Sequence, residues 1–154
     1  MLPVTSPLTQ VWEYEGGCHC GAVRVHMSTS RPAAELPLRA CQCGFCRRHG
    51  AQTTSDPAST LHLIAAPGAL RRYRFGRRKV DAVLCQDCGV YIASVLSDGD
   101  RLFATLNVAG VALEAFSSRS AEPAVYDDET DTEKLARRRA RWIPTTLIEA
   151  MPSA

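Results

Sequence analysis

Seven cysteines carry the most recognisable chemistry of this 154-residue sequence, and they fall into three short clusters. The clusters read Cys18-His19-Cys20, Cys41-Gln42-Cys43-Gly44-Phe45-Cys46 and Cys85-Gln86-Asp87-Cys88-Gly89. Thiolate sulfur is a soft ligand that selects zinc or iron–sulfur chemistry over hard cations. In the last cluster the glycine permits a tight turn, so that both sulfurs of Cys-x-x-Cys point at one ion. The spacing therefore predicts metal binding.

Other uses of cysteine fit this sequence less well than zinc. Seven is an odd number, so disulfides cannot satisfy every thiol, and a reducing cytosol disfavours disulfides. A thioredoxin-like dithiol would need a βαβ pattern around Cys-x-x-Cys, which is missing here. An iron–sulfur cluster would need its usual run of cysteines. Redox-controlled metal storage in the middle cluster is a further interpretation, which would require metal loss at low oxidant levels.

The seven sulfurs divide naturally into four and three, which predicts two zinc ions per chain. A structural zinc site takes four closed ligands, whereas a catalytic zinc keeps one position open. A first tetrahedron can be completed by joining two distant hairpins through Cys18, Cys20, Cys85 and Cys88. A second ion can be held, with one vertex vacant, by Cys41, Cys43 and Cys46. Alternatively His49, three residues after Cys46, closes that second site as a structural Cys₃His site, and the spacing leaves both arrangements open.

Short strands must position these clusters. Runs of alternating or mixed polarity, separated by Gly, Pro, Ser and Asp, predict a mainly β chain. The candidate strands are residues 23–27, 52–54, 61–65, 70–75, 80–85, 90–96 and 102–107. The turn sequence Ser97-Asp98-Gly99-Asp100 predicts a hairpin between the last two. Trp12, Tyr14, Phe45 and Tyr91 are expected in the core or in a pocket wall.

A late segment predicts a short C-terminal helix over about residues 130–142. Thr130-x-x-Glu133 has the pattern of a capping box, and acidic residues lead while arginines trail, which suits the helix dipole. Pro144 is expected to end the helix, and Trp142 to anchor it against the sheet. Because charge runs usually face solvent, a solvated surface helix is favoured over a basic recognition helix.

A second basic cluster surrounds a predicted turn at Gly76. A solvated hairpin tip is the favoured interpretation of this cluster. The alternative is that these cations attract the carboxylate or phosphate of a ligand. The cluster consists of Arg71, Arg72, Arg74, Arg77, Arg78 and Lys79.

Length and composition predict one zinc-binding domain over residues 1–154. The chain has ordinary globular composition, with 45% apolar and 22% charged residues. A net charge of +2 gives little reason to expect nucleic acid or a membrane surface as partner. Met1 to Gln10 lacks a secretory signal, and the apolar runs are shorter than the roughly 18 residues of a membrane span. A cytoplasmic protein is expected.

The order Cys-x-Cys, Cys-x-Cys-x-x-Cys and Cys-x-x-Cys-Gly resembles that of the glutathione-dependent formaldehyde-activating enzyme family, which includes centromere protein V-like domains. The matching stretches are residues 17–23, 41–48 and 84–89, and the resemblance covers residues 14–110. It implies a β-tent fold of small twisted antiparallel sheets. The helix at 130–142 then belongs to a C-terminal extension of this core.

The resemblance also implies roles for the cysteines. Cys18, Cys20, Cys85 and Cys88 would hold a structural zinc, and a second, catalytic zinc would be held by Cys41, Cys43 and Cys46. The implied activity is that of a carbon–sulfur lyase, in which glutathione and formaldehyde give S-hydroxymethylglutathione, and the reverse. A coordinated thiol is deprotonated and can attack the aldehyde; alternatively the zinc polarises the aldehyde oxygen. The sequence does not choose between these two routes.

Three residues beside the middle cluster are further candidates. His49 is predicted to move a proton, and Arg47 or Arg48 to bind a carboxylate of glutathione. A contrasting hypothesis is a non-catalytic zinc module that binds a protein or nucleic acid. The basic clusters lack interleaved aromatic residues, which ranks nucleic acid below the enzyme hypothesis. An exchangeable position on the second zinc would favour the enzyme, and a site closed by His49 would favour the module.

Overall fold

The computed structural model describes residues 10–149, in eleven strands and two α-helices. The strands are β1 Trp12–Gly17, β2 Val23–Thr29, β3 Arg39–Cys41, β4 Thr53–Thr54, β5 Thr60–Ala65, β6 Leu70–Tyr73, β7 Asp81–Cys85, β8 Tyr91–Asp98, β9 Arg101–Asn107, β10 Glu122–Ala124 and β11 Ile143–Ile148. The helices are α1 Gly44–His49 and α2 Asp131–Arg141. Most of the N-terminal segment for which no signal was predicted, residues 1–9, lies outside the described residues, as do residues 150–154.

The prediction of a mainly β chain is confirmed. Each of the seven candidate runs overlaps a strand, and β8 and β9 form the predicted hairpin, with Asp98 opposite Arg101. The C-terminal helix is present, with Thr130 as its N-cap in a complete capping box with Glu133. None of the described helices is long and apolar enough to cross a bilayer.

Strand β9 is the branch point of the sheet. Along its length it pairs with β8, while β11 takes its opposite edge at Leu102–Ala104 and β4 takes that edge at Leu106–Asn107. One arm continues from β11 through β5 and β2 to β1, and another runs from β4 through β3 to β10. A third arm runs from β8 through β7 to β6. Each arm carries one cysteine cluster at the end of a strand: Cys18 follows β1, Cys41 ends β3 and Cys85 ends β7.

The expectation of purely antiparallel sheets needs one correction. β10 lies parallel to β3, and β11 lies parallel to β5. Strand β11 enters the gap between β5 and β9, whereas β10 adds to the outer edge of β3. Strands that are joined by tight hairpins must run antiparallel to each other. Because β11 follows the crossover helix α2 instead of a hairpin, it can run parallel to β5.

The C-terminal segment is therefore part of the central sheet, which the sequence reading did not foresee. Pro144 ends α2 as predicted, but it also lies inside β11, opposite Phe103. Proline is tolerated there because the ladder with β5 begins only at Thr145, so no hydrogen bond to β5 requires an N–H at residue 144. Residues on both sides of the 14–110 core thus belong to the same sheet.

The interior consists of one main cluster and two small ones. The main cluster lies between β1–β2–β5–β11 and β7–β8–β9, where alternate residues such as Val23, Val25 and Met27 point inward. A second cluster packs Tyr91 against Cys46 and Ala82. In the third, Trp142 packs with Leu96 and Phe103, so that α2 is anchored against the β8–β9 hairpin as predicted.

We predict that Ile143→Ala lowers the free energy of unfolding by about 2–5 kcal/mol, because Ile143 is wholly buried in the main core. The matched control is Ile148→Ala in the same strand, since Ile148 is 39% exposed and its loss should cost about 0.5 kcal/mol or less. Urea unfolding of both variants measures the difference. Equal, small losses would show that β11 does not belong to the core.

Candidate metal centres and active-site cavity

The first and last cysteine clusters meet in space as the spacing predicted. The four sulfurs of Cys18, Cys20, Cys85 and Cys88 all lie within 4.8 Å of one another. Cys18 follows β1 and Cys85 ends β7, so the group joins two arms of the sheet. Two of its members, Cys20 and Cys85, are 65 residues apart in sequence. Sulfur–sulfur distances are 3.7 Å between Cys18 and Cys20 and 3.6 Å between Cys20 and Cys85.

Those distances fit a tetrahedral zinc site. Four sulfurs at Zn–S bonds of about 2.3 Å lie about 3.8 Å apart along each edge of the tetrahedron. Backbone N–H groups also point at the sulfurs: Val23 donates to Cys18 at 3.3 Å and Cys88 donates to Cys85 at 3.5 Å. Such donors stabilise thiolate over thiol. The donor set, spacing and backbone polarity therefore suit a soft divalent metal.

Two glycines permit the turns that carry these sulfurs. Gly21 has φ +85° and Gly89 has φ +78°, a left-handed conformation that other residues adopt at a cost. The N–H of Gly21 donates to the carbonyl of Cys18, and the N–H of Gly89 donates to the carbonyl of Cys85. The sequence prediction of a glycine-dependent turn is confirmed at Gly89, and the same device recurs at Gly21.

The middle cluster forms a separate group. The sulfurs of Cys41, Cys43 and Cys46 lie within 4.8 Å of one another, and no fourth His, Cys, Asp or Glu of residues 10–149 joins them. Cys41 ends β3, Cys43 is the N-cap of α1, and Cys46 is buried in the first turn of α1. The N–H of Cys46 donates to the sulfur of Cys43 at 3.4 Å. One short strand–helix junction thus positions all three ligands.

The pKa values of Cys41 and Cys46 are shifted in opposite directions in the metal-free chain. Hydrogen bonding from Cys46 lowers the pKa of Cys41 to about 6, against the opposing effect of burial. The same contact raises the pKa of Cys46, and burial adds to the rise. Cys41 therefore ionises readily at neutral pH. A thiolate held between two further sulfurs is a ready soft-metal ligand set.

His49 lies at the end of α1 and faces aromatic rings instead of the sulfurs. Its imidazole packs 4.5 Å from the ring of Phe45 and 5.7 Å from the ring of Tyr91, measured between ring centres. It is exposed to solvent. The alternative in which His49 closes the second site would require its side chain to leave this packing, and its predicted proton-transfer role stays a prediction.

The three-cysteine cluster opens onto a cavity of about 680 Å³. That volume lies within the range of about 300–1,000 Å³ typical of small-molecule sites. Its floor is formed by β8, β9 and the cysteines, and its cover by the β6–β7 connection, residues 125–127 and one side of α2. One side of the helix that the sequence predicted to be solvated therefore faces this cavity.

Three of the cations around the cavity hold an acidic partner. Arg77 pairs with Asp131 at 2.7 Å, which ties the β6–β7 tip to α2. Arg137 pairs with Glu129 at 2.9 Å, and Arg139 pairs with Asp98 at 2.8 Å. These bonds fix α2 over the cavity. The basic tip is accordingly more than the solvated hairpin favoured from sequence, since Arg77, Arg78 and Lys79 line the cavity.

The predicted carboxylate-binding residues lie elsewhere. Arg47 and Arg48 are exposed on α1, outside the described lining of the cavity, and Arg48 donates to the carbonyl of Gly44 in its own helix. Sequence adjacency to Cys46 placed them near the metal, but the helix turns them toward solvent. Their role in binding glutathione stays a prediction.

A hydroxyl pair in the cavity wall was not foreseen as chemistry. The hydroxyl of Tyr91 hydrogen-bonds the hydroxyl of Ser94, and both residues line the cavity. Burial raises the pKa of Tyr91, which therefore keeps its proton at physiological pH. The sequence predicted Tyr91 in the core or in a pocket wall. Its spacing of three from Ser94 gave no signal, because side chains alternate between the faces of a strand.

Two comparisons with known proteins agree with this geometry. A family model described as glutathione-dependent formaldehyde-activating enzyme matches residues 13–128, further than the 14–110 predicted from the cysteines. A crystal structure of a Rhodobacter sphaeroides protein is similar, with a TM-score of 0.55 and 29% sequence identity. That match covers 71% of this chain and 99% of the other. Helix α2 and strand β11 lie beyond the family match.

Proposed function

This chain belongs to the glutathione-dependent formaldehyde-activating enzyme family, and on that premise we propose that it catalyses the reversible addition of glutathione to formaldehyde. The observation that carries the proposal is the three-sulfur group on the wall of a ligand-sized cavity. The proposed class is a carbon–sulfur lyase with two zinc ions per chain. The family is enzymatic by its description, and the substrates and metal are the part proposed here.

The reaction needs no oxidant or reductant. The sulfur of glutathione forms a bond to the carbonyl carbon of formaldehyde, and the π bond of that carbonyl breaks. The thiol proton ends on the former carbonyl oxygen, which gives S-hydroxymethylglutathione. In the reverse direction the carbon–sulfur bond breaks and the hydroxyl proton returns to sulfur. A site for this chemistry must stabilise a thiolate and hold one mobile proton.

The cysteines suit the first of these needs. Cys41, Cys43 and Cys46 would hold the second zinc, and a bound zinc supplies a positive charge that ionises a thiol or polarises a carbonyl. Cys41 ionises readily even without metal, so the three side chains present a negative, soft face to the cavity. The four-cysteine group would hold the structural zinc and keep the two sheet arms together.

The hydroxyl pair suits the second need. Tyr91 stays protonated and shares a hydrogen bond with Ser94, whose half-buried side chain lines the cavity. A proton passed between these oxygens can reach an alkoxide formed in the cavity. Tyr91 also packs against Cys46, so this proton source lies beside the sulfur group. His49 stacks on the outer side of the same aromatic group and remains a second candidate.

We predict that the zinc-loaded protein accelerates formation of S-hydroxymethylglutathione in proportion to enzyme concentration. Exchange spectroscopy by NMR measures the forward and reverse rates at equilibrium, where the uncatalysed reaction also proceeds. The control is buffer with the same concentrations of glutathione, formaldehyde and zinc. Rates equal to this control would contradict the proposed function and favour the non-catalytic zinc module.

A further inference from the structure

Helix α2 contributes Arg138 to the cavity wall. The Nε of Arg138 is buried, and no acceptor among residues 10–149 bonds to it. Arg138 lines the same cavity as the three cysteines, and its guanidinium lies 5.5 Å from the ring centre of Trp142. A buried N–H of a cation without an acceptor is costly. A ligand that supplied an acceptor would remove that cost.

The acidic groups near Arg138 are already engaged. The two carboxylates that act on it are Glu129 and Asp131. Glu129 accepts two bonds from Arg137, and Asp131 pairs with Arg77. Rotating either acid toward Arg138 would break a bond that holds α2 in place. Neither of these two carboxylates can therefore bond Arg138 without losing an ion pair.

The surroundings of Arg138 favour an anion in the cavity. Burial lowers the pKa of Arg138, and the positive charge of Arg137 adds to this effect. Arg39 lines the same cavity, and its pKa is lowered by burial and by the nearby charges of Arg141 and Arg137. An arginine stays charged in proteins, so a carboxylate in the cavity would pair with a cation that burial disfavours.

One cavity connects Arg138 with the sulfur group. Arg138 on α2 and the three cysteines Cys41, Cys43 and Cys46 all line it. A ligand with a sulfur at the three-cysteine cluster can therefore extend its far end toward α2. The cavity of about 680 Å³ leaves room for a ligand larger than a simple thiol.

We propose that Arg138 binds a carboxylate of the thiol substrate, so that α2, which lies beyond the family match, selects thiols that carry a negative charge. The inference rests on the proposed function, because it places the substrate sulfur at the three-cysteine cluster. Arg138 is then a specificity residue in a segment outside the family match. Neutral thiols then bind weakly although their sulfur is equally reactive.

The first test compares two probes on the wild-type, zinc-loaded protein. Glutathione carries carboxylates, whereas glutathione diethyl ester keeps the thiol and masks them. Isothermal titration calorimetry measures both dissociation constants, and the fluorescence of Trp142, one of two tryptophans in the chain, follows occupancy of the cavity. We expect glutathione to bind about tenfold to a hundredfold more tightly than the diester. Equal affinities would overturn the proposal, whatever any variant does.

The second test uses Arg138→Gln and a matched control. Arg138→Gln should lose the preference for glutathione over the diester while its zinc content and melting curve stay unchanged. Arg141→Gln removes the same charge from the same helix at an exposed residue outside the cavity lining, and it should keep the preference. An unchanged preference in Arg138→Gln, or an equal loss in Arg141→Gln, would contradict the assignment.

These binding measurements separate the inference from the proposed function. If the wild type catalyses the reaction but binds glutathione and its diester equally well, the proposed activity is supported and the role of Arg138 is rejected. If binding prefers glutathione through Arg138 but no turnover is seen, the carboxylate site is supported and the proposed activity is rejected. Arg138→Lys adds a further check, since it keeps the charge but lacks the buried Nε, and we expect only partial recovery of glutathione binding.

Discussion

Cys85→Ser is expected to leave little stably folded protein. Cys85 is 1% exposed, and its sulfur joins the end of β7 to the loop after β1 through Cys20. A structural zinc site contributes about 10–16 kcal/mol of apparent free energy at neutral pH. A domain of this size is stable by only about 5–15 kcal/mol, so weakening this one site is enough to unfold it. Soluble yield, circular dichroism and urea unfolding measure the loss.

The matched control for Cys85→Ser is the same replacement at Cys46. Both cysteines are buried, at 1% and 8% exposure, and both changes exchange sulfur for a hydroxyl. The variants therefore differ in which cluster they damage. If Cys85→Ser keeps the unfolding curve of the wild type, the four-cysteine group does not hold a structural metal.

Cys46→Ser is expected to abolish turnover and to leave the fold intact. Its cluster spans one strand–helix junction, from Cys41 to Cys46, so the loss of a ligand there releases no distant arm of the sheet. Loss of a residue that merely supports a metal ligand costs about 10–100-fold in activity or affinity, and loss of the ligand itself should exceed that. NMR exchange rates with glutathione and formaldehyde measure turnover.

Cys43→Ser serves as a second variant for the same cluster. Cys43 is half-buried at the start of α1 and should give the same loss of turnover as Cys46→Ser. Wild-type turnover in either variant would exclude the three-cysteine group from the chemistry. Unfolding of both variants to the extent expected for Cys85→Ser would contradict the division into structural and catalytic sites.

The cysteine groups were predictable because ligand spacing is a local property. Cys41, Cys43 and Cys46 are close in sequence and must be close in space. The association of Cys20 with Cys85 is not local: the rule that a closed zinc site takes four ligands allowed it, and the family resemblance implied it. The strand runs were predictable for a similar reason, since alternation such as Val23, Val25 and Met27 reports burial of one face.

The parts that escaped prediction depend on contacts between distant segments. The sequence of Ile143–Ile148 does not indicate that there is a gap between β5 and β9 for this strand to fill. Pro144 also argues against a central strand. The same holds for Arg138: its spacing within α2 resembles that of any charged surface helix. Its burial follows from Trp142 packing against Leu96 and Phe103, which draws one face of α2 over the cavity.

Adjacency in sequence was a poor guide to the substrate-binding residues. Arg47 and Arg48 follow Cys46 directly, yet both are exposed and neither lines the cavity. A helix turns successive side chains by 100° because it has about 3.6 residues per turn, so neighbours of a ligand face away from it. The residues that line the cavity opposite the cysteines come instead from the β6–β7 tip and from α2.

The most direct test of the two-site account is the zinc content per chain, measured by plasma emission for the wild type and for Cys46→Ser. The account predicts two zinc ions in the wild type and one in Cys46→Ser, with identical circular dichroism. One zinc ion in both proteins would contradict it, because the three-cysteine cluster would then hold no metal in the wild type.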